Sequence, residues 1–266
     1  MRGFLRETDQ FFAEYMPPVT KWFFYINVLV FMLSFLMLQV LQLGPVFDRL
    51  FVLTPAQAVL QGHLWQFVAY MVTQYDFWHL FLNMIVLFFF GGLVERHIGG
   101  RPYFWLLMAS GVLAGVAHTI LAFATGNPGI GLVGFSGAGF AILTAAVIYF
   151  PHARVLFMLV IPMPMRVFAV IIGVFMSMSI LADFQQHGLM GGGVSHTAHL
   201  VGIAVGIVLV KFPVFLYMLE GFRIPFLMRP QPKAIRGGRG RVGMGHPGRH
   251  SDPDDRYDDP HWRLDQ

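Results

Sequence analysis

The sequence of 266 residues contains no cysteine, which excludes disulfide bonds and thiolate chemistry from any explanation of its fold or activity. It is also poor in charge. Asp, Glu, Lys and Arg make up 12% of the chain, about half of the roughly 25% that soluble domains carry. Hydrophobic residues make up 56%, and the mean hydropathy is +0.62. A convincing internal repeat is missing as well, which argues against a transporter built from paired broken helices. The first 21 residues are polar and mixed in charge, so no cleavable signal peptide is expected there. The net charge is +4, but the basic residues sit beside apolar runs and in the C-terminal tail without any nucleic-acid motif. They point to a membrane surface as partner and not to nucleic acid.

What the chain does have is apolar runs of membrane length. About 20 apolar residues are needed to cross a hydrocarbon core roughly 30 Å thick. Six stretches are expected to form transmembrane helices: Trp22–Leu43, Phe77–Val94, Tyr103–Ala124, Ser136–Pro151, Val167–Ala182 and Thr197–Tyr217. The predicted organisation is a cytoplasmic segment over 1–21, a six-helix membrane domain over 22–220 and a disordered cytoplasmic tail over 221–266. The tail is rich in Gly, Pro and charge with little to bury.

Orientation follows from the distribution of Lys and Arg. With a cytoplasmic N-terminus, the outer loops are 44–76, 125–135 and 183–196, and they hold one basic residue, Arg49. The inner side takes Arg2, Arg6, Lys21, Arg96, Arg101, Arg154, Arg166 and the tail. Both termini are therefore expected inside, with a bacterial inner membrane as the expected location.

Two connections are unusual. The segment from Gly44 to Phe77 is long, aromatic and interrupted, and reads as a half-immersed loop with short helices. The fourth span is short and follows the irregular run TGNPGIGLVGF. Irregular backbone at membrane depth is tolerated where it lines a cavity, so this short helix predicts one.

Polar groups within spans are costly and therefore informative. They include His79 and Asn83 in the second span, His118 in the third, Ser136 at the start of the fourth and His199 in the sixth. Taken singly, each has an ordinary reading. Ser136 could cap its helix, His199 could be an interhelical bonding partner, and Asn83 could be packing glue. Together they form a pattern. His79 and Asn83 are four residues apart, on one helical face. The predicted topology brings them, Ser136 and His199 to the same side of the membrane. A hydroxyl, an imidazole and hydrogen-bond donors are the parts of an acyl-transfer site. Gly202 and Gly206 follow His199 as a GxxxG stripe, and Gly137, Ala138 and Gly139 follow Ser136. Close packing of these two helices would bring imidazole to hydroxyl.

At these residues the sequence resembles the rhomboid proteases over about residues 20–220. The motifs are His79-x-x-x-Asn83 followed by GGLVERHIG, the GxSG of Gly134-Phe135-Ser136-Gly137, and Ala198-His199-x-x-Gly202 followed by Gly206. The resemblance implies an all-α membrane protein with a six-helix rhomboid-like bundle. It further implies a serine endopeptidase with Ser136 as nucleophile and His199 as general base. His79, Asn83 and the Ser136 amide would form the oxyanion hole, and Glu95 would be structural. Gly134, Gly137, Gly202 and Gly206 are the motif glycines. The implied partners are transmembrane protein substrates and membrane lipid, with no cofactor and no metal. The alternative is a catalytically silent relative that binds transmembrane segments, although such members usually lack the serine or the histidine. Two other intramembrane chemistries lack their motifs, since the chain has neither HExxH nor GxGD. One departure stands out: the family often has Trp-Arg in the first loop, where this chain has Trp65-Gln66. His118 is expected to be a core histidine, and His196 has no assigned role. The loop with Gly191–Gly193 beside Leu189 and Met190 is expected to be a mobile cap or a flexible tether.

Overall fold

The structure, a computed structural model, describes residues 16–157, 160–187 and 194–214. The described residues all belong to one compact unit, Met1–Arg229. The Gly191–Gly193 loop, the N-terminal fifteen residues and the tail beyond 214 lie outside them.

The first helix, α1, runs over Pro18–Val40, and its last five residues, Leu36–Val40, widen into a π turn. Proline opens it, which suits a first-turn position whose N–H would be unpaired in any case. The free amides of that first turn are met by Glu95. Its carboxylate accepts from the N–H of Val19 at 3.0 Å, the N–H of Thr20 at 2.7 Å and the Thr20 hydroxyl at 2.7 Å. This cap is why α1 begins four residues before the expected Trp22. Three polar residues of α1 face inward: Thr20, Asn27 and Ser34 are buried, while Leu29, Met32 and Phe35 are exposed. A helix that hides its polar side and displays its apolar side has lipid as its solvent.

The long connection folds into α2 (Gly44–Phe51), α3 (Pro55–Leu60) and α4 (Gln66–Ala69), with a 3₁₀ turn at Tyr70–Val72. Gln66 organises it. Its Oε1 accepts from the Thr54 N–H at 3.1 Å, and its Nε2 donates to the Arg49 carbonyl at 2.9 Å and to Gln57 Oε1 at 3.2 Å. A neutral amide that both donates and accepts thus ties the loop internally where the family often has arginine.

Helix α5 (Phe77–Ile98) starts at Asp76, whose carboxylate accepts from the His79 N–H at 2.8 Å. Such an N-cap fixes the first turn, on which His79 sits. A π turn at Leu87–Gly91 interrupts α5 midway. Helix α6 (Gly100–Ala124) is the longest among the described residues, about 37 Å at 1.5 Å per residue. Helix α7 (Ser136–Tyr149) is short at about 21 Å. Its buried residues are Gly137, Ala138, Gly139, Ala141, Ile142, Ala145 and Ala146, mostly small, so neighbouring helices can approach closely. Helix α8 spans Met165–His187 and α9 Val194–Lys211.

Among the described residues three helices, α1, α5 and α6, are long and apolar enough to cross a membrane, and three further apolar stretches, Ser136–Tyr149, Met165–Phe175 and His196–Lys211, are shorter. Helix α9 runs to Lys211, and the expected end of the sixth span at Tyr217 lies outside the described residues. One expectation needs correction. The fold is mostly helical and not all-α: β1 (Arg154–Phe157) and β2 (Ile161–Pro164) pair antiparallel, Arg154 opposite Pro164 and Phe157 opposite Ile161. In a two-stranded sheet both strands are edges, so the prolines of β2 need not break a ladder.

Candidate active site

Ser136 is the first residue of α7, and the N-cap position before it is taken by Phe135, so the simplest reading of a serine at a helix start does not apply. Its hydroxyl lies instead 2.7 Å from Nε2 of His199. With Nε2 unprotonated, the hydroxyl donates to it, which is the arrangement a general base requires. Ser136 and His199 are 63 residues apart in sequence. Glycines close that gap. A Cβ added to Gly202 would overlap the Gly137 carbonyl, one added to Gly206 would lie 3.0 Å from Ala141 Cα, and one added to Gly137 would lie 3.0 Å from Ala114 Cβ. Three motif glycines are therefore points where helix backbones or small side chains meet.

Phe140, one turn after Ser136, holds the imidazole from the side, its ring centroid 4.7 Å from that of His199. Among the described residues no carboxylate bonds to His199. The His196 ring centroid is 6.1 Å from the His199 ring.

Gly134 has φ +122°, a conformation side chains rarely adopt, and a Cβ there would sit 2.7 Å from Cε1 of His79. Glycine at this position thus serves both the bend before α7 and the close approach of His79. The segment leading to Ser136 is pinned by the first loop. Leu53 and Leu132 exchange backbone bonds of 3.1 and 2.9 Å, the Ala56 N–H donates to the Pro128 carbonyl at 2.8 Å, and the Gly134 N–H donates to the Tyr70 carbonyl at 2.9 Å. His118 is buried, and its Nε2–H donates to the Ile130 carbonyl at 3.0 Å, which helps to hold the same segment.

His79, Asn83, Ser136 and His199 all line one cavity of about 780 Å³, which continues between α5, α7 and α8 to Arg96 and Arg154. Its walls are mainly apolar, with Phe89, Leu143 and Phe168 among them. Four of the five polar residues singled out within the spans are thus brought to one space, and His118 is not among them. The Ser136 amide belongs to the first turn of α7, where N–H groups have no intrahelical acceptor. An anionic oxygen beside Ser136 would find donors there.

Besides Phe140, two polar residues of this region were not singled out from sequence. Gln74 and Asn27 are both buried and connect to Asn83: Asn83 Nδ2 donates to Gln74 Oε1 at 3.0 Å, and Gln74 Nε2 donates to Asn27 Oδ1 at 3.2 Å. A signal existed for Asn27, a carboxamide in the middle of an apolar span. None existed for Gln74, which lies in a loop.

Comparison with known proteins agrees with the motifs. A family model described as Rhomboid domain matches residues 61–214, a range that includes all four polar residues. Rhomboid-related protein 4 from Homo sapiens is 30% identical over 145 residues, 52% of this chain and 42% of that protein. Rhomboid protein 1, mitochondrial, from Saccharomyces cerevisiae is 31% identical over 136 residues, 50% of this chain and 37% of that protein. In each case the chain spans less than half the length of the relative.

Proposed function

The chain belongs to the rhomboid family, and on that premise we propose that it is an intramembrane serine endopeptidase acting through Ser136 and His199. The observation that carries this reading is the 2.7 Å approach of the Ser136 hydroxyl to His199 Nε2 at the wall of a cavity. Ser136 attacks the carbonyl carbon of a peptide bond while His199 takes the hydroxyl proton. The tetrahedral oxyanion is held by the Ser136 amide and by donors from His79 and Asn83. Its collapse breaks the C–N bond, and His199 returns the proton to the leaving amine. Water, activated by the same histidine, then hydrolyses the acyl-enzyme. Loss of one oxyanion donor costs about 10²–10³ in rate in a soluble serine protease, and a similar loss is expected for Asn83→Ala.

The family acts on transmembrane substrates, and the mainly apolar cavity between α5 and α8 suits a segment that was itself helical in lipid. The scissile bond must leave its helical hydrogen bonds before attack, so helix-weakening residues near it favour cleavage. In the proposed arrangement six helices span the membrane over 22–220, the first loop is half immersed, and both termini are cytoplasmic by the Lys and Arg bias. The segments 1–21 and 221–266 then flank the membrane domain on the inner side. The relatives are eukaryotic, one of them mitochondrial by name, so a bacterial inner membrane finds no support in them.

Reconstitution into liposomes with a labelled single-span substrate tests the proposal. Cleavage by the intact chain and none by Ser136→Ala is expected. Binding of the substrate without cleavage would instead identify a silent relative.

A further inference from the structure

Asn83 ends a chain of three buried carboxamides whose polarity is set at the far end. Asn27 Nδ2 donates to the Phe23 carbonyl at 2.9 Å, Gln74 Nε2 donates to Asn27 Oδ1 at 3.2 Å, and Asn83 Nδ2 donates to Gln74 Oε1 at 3.0 Å. A backbone carbonyl can only accept. Asn27 must therefore turn its nitrogen to Phe23 and its oxygen to Gln74. Gln74 must then present its nitrogen to Asn27 and its oxygen to Asn83, so that Asn83 must donate. Reversing any one amide would set two oxygens or two NH₂ groups face to face in a buried site, where unpaired polar groups are costly.

We infer that Gln74, anchored through Asn27, is a positioning residue that fixes the orientation of the Asn83 carboxamide and leaves its second N–H as the donor toward the cavity. The inference rests on the reading of Asn83 as an oxyanion donor. Three elements take part: Asn27 on α1, Gln74 in the loop before α5, and Asn83 on α5. The orientation of one cavity-lining donor is thus tied to the docking of the first helix.

Two readouts test this, and one of them needs no turnover. The chain has three asparagines, Asn27, Asn83 and Asn127, so asparagine-selective ¹⁵N labelling gives three side-chain amide pairs, assignable by substitution. In the intact protein the Asn83 pair is expected to exchange slowly with solvent, and Gln74→Met should speed that exchange by about tenfold or more. An unchanged Asn83 pair in Gln74→Met overturns the positioning role, whether or not the enzyme cleaves anything. In cleavage assays Gln74→Met should lower kcat by about tenfold with KM unchanged, less than the loss of the donor itself. In an Asn83→Ala background the same substitution should change kcat by less than about twofold. Equal effects of Gln74→Met in both backgrounds would show that Gln74 acts on the fold and not through Asn83. Asn27→Leu cuts the chain one link earlier and is read in the same way, which covers a Gln74 variant that fails to fold. Absence of wild-type turnover with an Asn83 pair that responds to Gln74→Met would overturn the proposed activity and leave the positioning intact.

Discussion

Gly202 on α9 rests against the carbonyl of Gly137 in the first turn of α7, with no room for a methyl group between them. Gly137 directly follows Ser136, and Gly202 lies one turn after His199. The approach of the two backbones therefore sets the distance between hydroxyl and imidazole. Gly202→Ala should push the helices apart, destabilise the protein by about 1–3 kcal/mol as overpacking does, and sharply reduce turnover. Gly206→Ala, whose Cβ would lie 3.0 Å from Ala141 Cα, should be milder in both respects. Thermal unfolding and cleavage assays on both variants check the ranking. Wild-type turnover in Gly202→Ala would contradict it.

The Gln66 amide is buried and holds the Thr54 N–H, the Arg49 carbonyl and Gln57. Gln66→Ala strands those groups, and each buried polar group left unpaired costs about 1–3 kcal/mol. The unfolding temperature should drop clearly. Activity should fall with it, because the loop that Gln66 ties carries the backbone bonds to Pro128, Leu132 and Gly134. An unfolding temperature equal to that of the wild type would show that the loop is held elsewhere.

Glu95 accepts three hydrogen bonds from the start of α1. Hydrogen bonds to a charged group contribute about 1.5–3 kcal/mol each. Glu95→Ala should therefore destabilise strongly, and Glu95→Gln, which keeps one acceptor oxygen, should destabilise less. Thermal unfolding in one detergent orders the three proteins. Equal stability of Glu95→Ala and wild type would remove the capping role.

Tyr70, in the loop outside the spans, is buried with its hydroxyl donating to the Gly111 carbonyl at 2.6 Å. Burial pushes its phenol well above the ordinary value of 10.0. A raised folded value means the neutral phenol is favoured by folding. The stabilisation is therefore complete below pH 10 and is lost as pH rises toward the folded value. Unfolding temperature should fall more steeply above pH 10 in the wild type than in Tyr70→Phe. Parallel curves for the two would contradict the burial effect.

The meeting of Ser136 and His199 was legible because each lies beside small residues in phase with it, and the GxxxG stripe after His199 announces a close helix contact. Phe140, one turn from Ser136, was not singled out from the sequence, since nothing in its spacing shows that its ring meets His199. The Asn27–Gln74–Asn83 chain was not, since its middle link lies in a loop and joins two helices that no local spacing relates. Nor was the hairpin of β1 and β2, whose four-residue strands are too short for periodicity to register and whose prolines argue against strand. Gln66 could be seen to depart from the family pattern, but only the folded loop reveals that its amide bonds on both sides.

The most direct test of the proposed dyad is chemical. A fluorophosphonate probe incubated with the purified protein reacts only with an activated serine, and mass spectrometry locates the adduct. Labelling at Ser136 that disappears in both Ser136→Ala and His199→Ala is the predicted result. A folded wild-type protein that takes up no probe at Ser136 would contradict it.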